Sequence, residues 1–279
     1  MIQNCKIAII GPGVMGRTIT DSLIHTGKVD PGNIMLAGPT AARLTQLQQE
    51  FGARGVTDNA EAARWANVLI LAVKPQRLTQ VATSLKGALR KDTLVISILA
   101  GVTTTTLLEK LDTTCIVRAM PNTPAQIGLG ITVWTKTPQV DSDMQELTAQ
   151  IIQTMGEEIF VEDESYLDMA TALSGTGPAY VFLFMEAMID AGVHMGFPRR
   201  IAEQLVVQTL RGSTEFYDQN HEHPARLRND VTSPGGTSAE ALYYLEKAGF
   251  RTAISRAIWA AYQRSIELGQ GKVKQNLEG

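Results

Sequence analysis

Lys6-Ile-Ala-Ile-Ile-Gly-Pro-Gly-Val-Met-Gly16 decides the fold of this chain. Four apolar residues in a row, Ile7 to Ile10, read as a strand covered on both faces. The chain then turns through Gly11-Pro-Gly-Val-Met-Gly16, and an amphipathic run over 14–26 reads as a helix. A G-x-G-x-x-G spacing alone is weak evidence. Set between a strand and a helix, it reads as a dinucleotide-binding turn. Gly11 permits the tight turn, Gly13 lets a pyrophosphate approach the backbone, and Gly16 lets helix and sheet pack closely. Ile10, Gly11, Pro12, Gly13, Val14, Met15 and Gly16 are therefore candidate cofactor contacts.

Outward from this turn the alternation continues. Strands are expected at 6–10, 33–37, 55–57, 68–73, 93–98, 115–119, 130–134 and 158–161, and helices at 14–26, 41–51, 60–66, 77–85, 104–111 and 143–155. Such alternation implies βαβ units and a mainly parallel sheet. Beyond about residue 163 only helical patterns remain, at 167–174, 178–195, 198–218, 237–247 and 250–268. The expectation is an α/β Rossmann-like dinucleotide-binding domain over 1–163 and an all-α domain over 164–279. The 178–195 helix is apolar nearly all round, through Tyr180, Val181, Phe182, Leu183, Phe184, Met185, Met188 and Ile189. That pattern predicts burial, either at the centre of the helical domain or against a second subunit. The polar tail 270–279 is expected to fray.

Composition narrows the class. With 44% hydrophobic and 19% charged residues, the 279-residue chain has ample core for one or two domains. A net charge of −3 gives no reason to expect a nucleic-acid or membrane-surface partner. Ile7 to Ile10 is too short for a secretory leader, and the run 68–73, taken as the longest apolar stretch, is too short to span a membrane. Cys5 and Cys115 sit in or beside apolar strand-like runs and read as buried thiols, which points to a reducing, cytoplasmic compartment. His221-Glu-His223 lies in a polar segment ending at Pro224 and reads as a loop, and no metal site is expected.

A second anion-binding feature lies near the other end, in Val231-Thr-Ser-Pro-Gly-Gly-Thr-Ser-Ala-Glu240. Pro234-Gly235-Gly236 breaks any helix and lets backbone come close to another molecule. Thr237 reads as an N-cap, with Glu240 three residues on completing a capping box. The first turn of such a helix offers N–H groups and a positive dipole end to a carboxylate or phosphate. Two anion sites, one near each end, suit an oxidoreductase with two substrates.

Other strand ends should face the first site, because ligands of open α/β sheets bind outside the carboxyl ends of the strands. The second strand ends in Ala37-Gly-Pro-Thr40, with Arg43 one turn on. No carboxylate stands there to hold a ribose 2′-hydroxyl or repel a 2′-phosphate, so NADPH is preferred over NADH. Thr40 and Arg43 are placed to meet the phosphate, although Arg43 also reads as a solvated helix charge. Ala72-Val-Lys-Pro75 and Ile98-Leu-Ala-Gly101 follow the fourth and fifth strands. They nominate Ala72, Val73, Lys74, Pro75, Ile98, Leu99 and Ala100, with a surface lysine at a Pro-forced turn as the plainer reading of Lys74. Met120-Pro-Asn-Thr-Pro-Ala125 adds Asn122, suited to orienting a nicotinamide amide and equally suited to a rigid turn.

Segments 11–16, 72–75, 120–125, 173–180 (Leu-Ser-Gly-Thr-Gly-Pro-Ala-Tyr) and 230–240 together resemble the pyrroline-5-carboxylate reductase family. The Val-Thr-Ser-Pro-Gly-Gly run is the specific part; the glycine fingerprint is not. The resemblance implies a C-terminal helical dimerisation domain, a homodimer that often assembles into a decamer of five dimers, and reduction of 1-pyrroline-5-carboxylate to L-proline. It implies that Ser233, Gly235, Gly236, Thr237 and Ser238 receive the substrate carboxylate. Ser238 would also lie near the ring nitrogen, Glu164 near the substrate and Asn59 by the adenosine. Two departures stand out. Ser238 replaces the usual Thr, which keeps the hydroxyl and loses the methyl that stiffens its rotamer. Asn229-Asp230 stands where the family tends to carry Asp two residues before the signature Val.

Two rival readings weaken on the residues themselves. A hydroxyacid dehydrogenase would place a catalytic lysine on a helix, and 178–218 contains no lysine. A dinucleotide-sensing regulator has no use for the second anion-binding turn.

Overall fold

The computed structural model describes residues 2–270. Elements run in the order β1 (Ile7–Ile10), α1 (Val14–His25), β2 (Ile34–Ala37), α2 (Ala41–Phe51), β3 (Arg54–Val56), α3 (Asn59–Trp65), β4 (Val68–Leu71), α4 (Leu78–Leu85), β5 (Leu94–Ser97), α5 (Thr104–Lys110), β6 (Ile116–Met120), β7 (Gly130–Lys136), α6 (Ser142–Ile152) and β8 (Gly156–Phe160). Helices follow: α7 (Tyr166–Ala170), a π turn (Thr171–Gly175), α8 (Gly177–His194), α9 (Arg199–Asn220), α10 (Pro224–Asp230), α11 (Thr237–Lys247) and α12 (Phe250–Gly269).

The strands form one sheet in the order β3-β2-β1-β4-β5-β6-β7-β8. Every pairing is parallel except β6 with β7. Side-chain alternation along each strand divides the core in two. Ile7 and Ile9 join Leu36, Val68, Ile70, Leu94, Ile96 and Val117 on one face. Ala8 and Ile10 join Met35, Leu69, Leu71, Val95 and Ile116 on the other. Both faces being covered explains why the sequence shows continuous apolar runs rather than alternation. The strand order reverses at β1, between β2 and β4, which opens a crevice at the carboxyl ends of those strands.

The chain divides into two compact units. The first extends through Thr176 and resumes at Ala261; the second is Gly177–Ala260. The first therefore runs past the boundary expected at 163/164. Leu167 and Ala170 of α7 are buried, and Ser265 near the end of α12 bonds back to Asp168. Of the tail expected to fray, only Gln270 falls among the described residues.

In the second unit α8 and α9 cross closely at Gly192, where an added Cβ would stand 3.0 Å from the Ala202 Cβ. Burial is sparse: among its described residues only Gly192, Ala202 and Val206 are buried. The expectation that the apolar 178–195 helix is buried is not met within one chain. Phe182 and Leu183 are 62% and 66% exposed, because a bundle this small has no interior to enclose a helix apolar on every side. The helical run Tyr166–His194 is long and apolar enough, by length and composition alone, to cross a membrane. It exceeds the 68–73 stretch, because α7, the π turn and α8 are separated only by Thr176.

One helix was not anticipated. α10 starts where Pro224 occupies the first helical position and the Ala225 N–H donates to His223 Nδ1 at 3.2 Å. His223 thus caps a helix, and the polar segment before it hides that start.

Candidate active site

The glycine loop is built by close backbone contacts. Gly11 has φ +90, and a Cβ there would lie 2.5 Å from Val73 Cγ1, so the loops after β1 and β4 touch. The Gly11 N–H donates to the Ala37 carbonyl at 2.9 Å, and the Ala72 N–H to the Ile10 carbonyl at 2.9 Å. A Cβ on Gly16 would stand 2.5 Å from the Gly11 carbonyl oxygen, which fixes how closely α1 approaches the loop. Around Gly13 nothing lies within 4 Å of the Cβ position. Gly13 is also the N-cap of α1 and carries no side chain to satisfy the first-turn N–H groups. An open approach to unsatisfied donors at a helix N-terminus fits a pyrophosphate.

Beside this loop lies a cleft of about 380 Å³ within the first unit. Ile10, Gly11 and Val73 form its floor, and Ala37, Gly38 and Pro39 form the β2 side. Asn59 and Ser84 face each other on its wall, with Asn59 Nδ2 donating to Ser84 Oγ at 2.9 Å. Thr40 is the exposed N-cap of α2 and makes no side-chain cap bond. Arg43 lines a separate depression with Arg17, Thr18 and Asp21. Lys74 is exposed and extended (φ −67, ψ 142), as a residue before proline must be, and it caps the 3-10 turn Pro75–Arg77. Ile98 continues the β5 edge through its N–H to the Leu71 carbonyl, 3.0 Å. The Leu99 side chain is buried, while Ala100 is partly exposed. Asn122 Oδ1 accepts from the Ile131 N–H at 2.9 Å, so that oxygen stitches the turn to β7.

In the second unit, residues 233–238 form one compact turn. Gly235 has φ +71, the left-handed region that disfavours any side chain. The Gly236 N–H donates to the Ser233 carbonyl at 3.1 Å, and a Cβ on Gly236 would meet Ser233 Oγ at 2.5 Å. The capping box expected at Thr237 and Glu240 does not form. Gly236, not Thr237, is the N-cap of α11, and no side chain caps it. Gly236 is extended (φ −81, ψ 169) and its carbonyl accepts the first helical bond, from the Glu240 N–H at 3.2 Å, so Thr237 is already the first helical residue. The first-turn N–H groups of this eleven-residue helix thereby have no capping side chain.

Glu164 has a different setting. Its Oε1 accepts from the Thr104 N–H at 2.8 Å and from Arg118 Nη1 at 2.9 Å, and its Oε2 accepts from the Thr104 hydroxyl at 2.6 Å. Arg118 Nη2 donates to Asp168 Oδ1 at 2.9 Å, and that oxygen also accepts from the Ser265 hydroxyl at 2.7 Å. Arg118 is 2% exposed. A buried guanidinium is tolerated only with its charge paired, and loss of one partner from such a pair costs about 3–5 kcal/mol. Reading the sequence for function missed Arg118. The signal was present in Cys115-Ile-Val-Arg-Ala119, a lone charge inside an apolar strand, which has to find a carboxylate elsewhere.

A doubly wound sheet with an open glycine loop at its switch point defines a dinucleotide-binding protein. Residues 164–268 match the sequence family described as pyrroline-5-carboxylate reductase dimerisation, and 6–101 match NADP oxidoreductase coenzyme F420-dependent. The pyrroline-5-carboxylate reductase of Synechocystis sp. is 43% identical over 96% of this chain and 100% of its own length. That of Escherichia coli is 37% identical over 95% and 98%. Among solved structures, the Plasmodium falciparum pyrroline carboxylate reductase with NADP bound shares 32% identity with a TM-score of 0.89, covering 96% of this chain and 100% of that one. The Coxiella burnetii pyrroline-5-carboxylate reductase gives 36% and 0.86, covering 95% and 99%. This chain belongs to the pyrroline-5-carboxylate reductase family.

Proposed function

We propose that this chain reduces 1-pyrroline-5-carboxylate to L-proline with NADPH, the last step of proline biosynthesis. The observation that carries the reading is the start of α11, a glycine-built turn whose uncapped N–H groups suit a carboxylate, on a chain of this reductase family. The loop Ile10 to Gly16 would hold the cofactor's pyrophosphate. Thr40 and Asn59 would lie by its adenosine end, and Ala72–Pro75, Ile98–Ala100 and Asn122 toward its nicotinamide. When bound, NADPH supplies the hydride that the C=N carbon receives.

The chain's own groups position the substrate. Ser233, Gly235, Gly236, Thr237 and Ser238 take the ring carboxylate through backbone N–H groups and hydroxyls. Ser238 Oγ sits beside the ring nitrogen. The substrate enters as a protonated imine, so nitrogen already holds the proton that the product keeps. No strong acid is then required, and orientation supplies most of the rate. Glu164 would act near the substrate from its place beside Arg118 and Thr104.

The division of labour proposed is cofactor binding by the sheet unit and substrate binding with self-association by the helical unit. The exposed apolar face of α8 supports a homodimer in which a second copy covers it. A decamer of five dimers is the higher assembly proposed, and light scattering distinguishes the two. Two free, buried cysteines support a cytoplasmic location.

The test is steady-state oxidation of NADPH on addition of pyrroline-5-carboxylate. Ser238→Ala should lower kcat by about 10–100-fold with a smaller change in KM, the range for losing one hydrogen bond to a charged group. Tight NADPH binding without pyrroline-dependent turnover overturns the proposal.

A further inference from the structure

The cleft beside Gly11 carries a positive charge contributed from outside the β2 loop. Ala37, Gly38 and Pro39 offer no carboxylate, and Thr40 and Arg43 were the residues nominated to meet a 2′-phosphate. Arg43 does not line this cleft; it lines the depression with Arg17 and Asp21, and its Nη1 donates to Gln46 Oε1 at 2.8 Å. Arg77 does line it, together with Gly38, Pro39, Asn59 and Ser84. Among the described residues around the cleft, Arg77 carries the sole formal charge, and no carboxylate offsets it.

Arg77 is also set in place. Pro75 fixes the 3-10 turn that ends at Arg77, and the Arg77 N–H donates to the Lys74 carbonyl at 2.8 Å. Its Nη1 donates to Gln80 Oε1 at 3.0 Å, and Gln80 lines the cleft as well. A guanidinium has five N–H donors, so the remaining ones are available to an anion in a planar fork suited to phosphate. In a doubly wound sheet the adenosine end of the dinucleotide occupies this side of the switch point.

We propose that Arg77 is the cation that binds the 2′-phosphate of NADPH and sets the preference for NADPH over NADH. The proposal rests on the NADPH reading above and assigns the discrimination to the turn after β4 rather than to the start of α2. Arg77 is exposed, so replacing it leaves the core untouched.

Arg77→Gln and Arg43→Gln would be titrated calorimetrically with adenosine 2′,5′-bisphosphate and AMP, and then with NADPH and NADH. Arg77→Gln should weaken adenosine 2′,5′-bisphosphate and NADPH by about tenfold or more, the effect of one charged hydrogen-bonding partner, with AMP and NADH held within about twofold. Arg43→Gln should leave all four within about twofold on the same scale. Three results would overturn the proposal: unchanged binding in Arg77→Gln, an equal loss for AMP and NADH (which would assign Arg77 to the adenine ring), or the selective loss appearing in Arg43→Gln. These titrations need no turnover, so failure of the reductase reading, seen as binding without pyrroline-dependent oxidation, is scored separately.

Discussion

The two units solve the problem of apolar surface in opposite ways. In the first, Ile7, Ile9, Ala8 and Ile10 divide between two faces of one sheet, and helices cover both. In the second, α8 carries as dense an apolar load and leaves Val181, Phe182 and Leu183 at the surface of the single chain. The difference teaches that the sheet unit specifies its own core, whereas the helical unit specifies an assembly. The hydrophobic effect is the same in both, and only the identity of the covering surface differs.

The largest effect is expected on α8. Leu183→Asp should raise the dissociation constant of the proposed dimer roughly a thousandfold, about 4 kcal/mol, because a carboxylate would be buried without a partner. The sheet unit should keep its NADPH binding. Light scattering at micromolar protein checks this, and a variant that stays dimeric would remove α8 from the interface. A smaller effect sharpens the first half of the contrast. Gly16→Ala places a Cβ against the Gly11 carbonyl and should cost about 2–3 kcal/mol of stability through overpacking. Gly13→Ala meets nothing within 4 Å and should lower the urea midpoint less than Gly16→Ala does, by the loss of a glycine N-cap alone, while weakening NADPH. Equal midpoints for Gly16→Ala and wild type would contradict the tight approach of α1 to its loop.

The smallest effect concerns pH. Burial pushes the Cys5 thiol up from its ordinary 9.0 to about 11. Above pH 9 the unfolded chain then holds fewer protons at this site than the folded one, so the stability is complete below 9 and is lost as pH rises through 11. The loss is at most ~1.4 kcal/mol per pH unit. Thermal melts of wild type and Cys5→Ala between pH 8 and 11 should diverge, with wild type falling faster; parallel curves would place the thiol in contact with solvent.

Much of the sheet unit was legible because covered strands and amphipathic helices write different periods into the chain. All eight strands lie within a few residues of their expected places, and α2 and α11 have the expected bounds. The glycine loop was legible because each glycine answers a distinct steric demand, seen at Gly11 and Gly16. Elsewhere local patterns misled. Thr237 and Glu240 have the right spacing for a capping box, yet the extended backbone of Gly236 takes the cap. α10 was hidden because its cap is a histidine rather than Ser, Thr, Asp or Asn. Arg118 and Arg77 are tertiary facts. The first is explained only by Glu164 and Asp168, far along the chain. The second lies two residues past the Ala72–Pro75 segment and outside any motif, and its meaning comes from the cleft it lines together with Asn59.

The hydroxyl of Ser265 on the carboxylate of Asp168 has a consequence for anyone who would cut this protein. The nucleotide-binding half is not a continuous stretch of gene. A fragment ending at residue 163 discards Glu164 and Asp168 and strands a guanidinium in the middle of β6. The excised piece would carry every glycine of its fingerprint and still lack the counter-ions that let its sheet close.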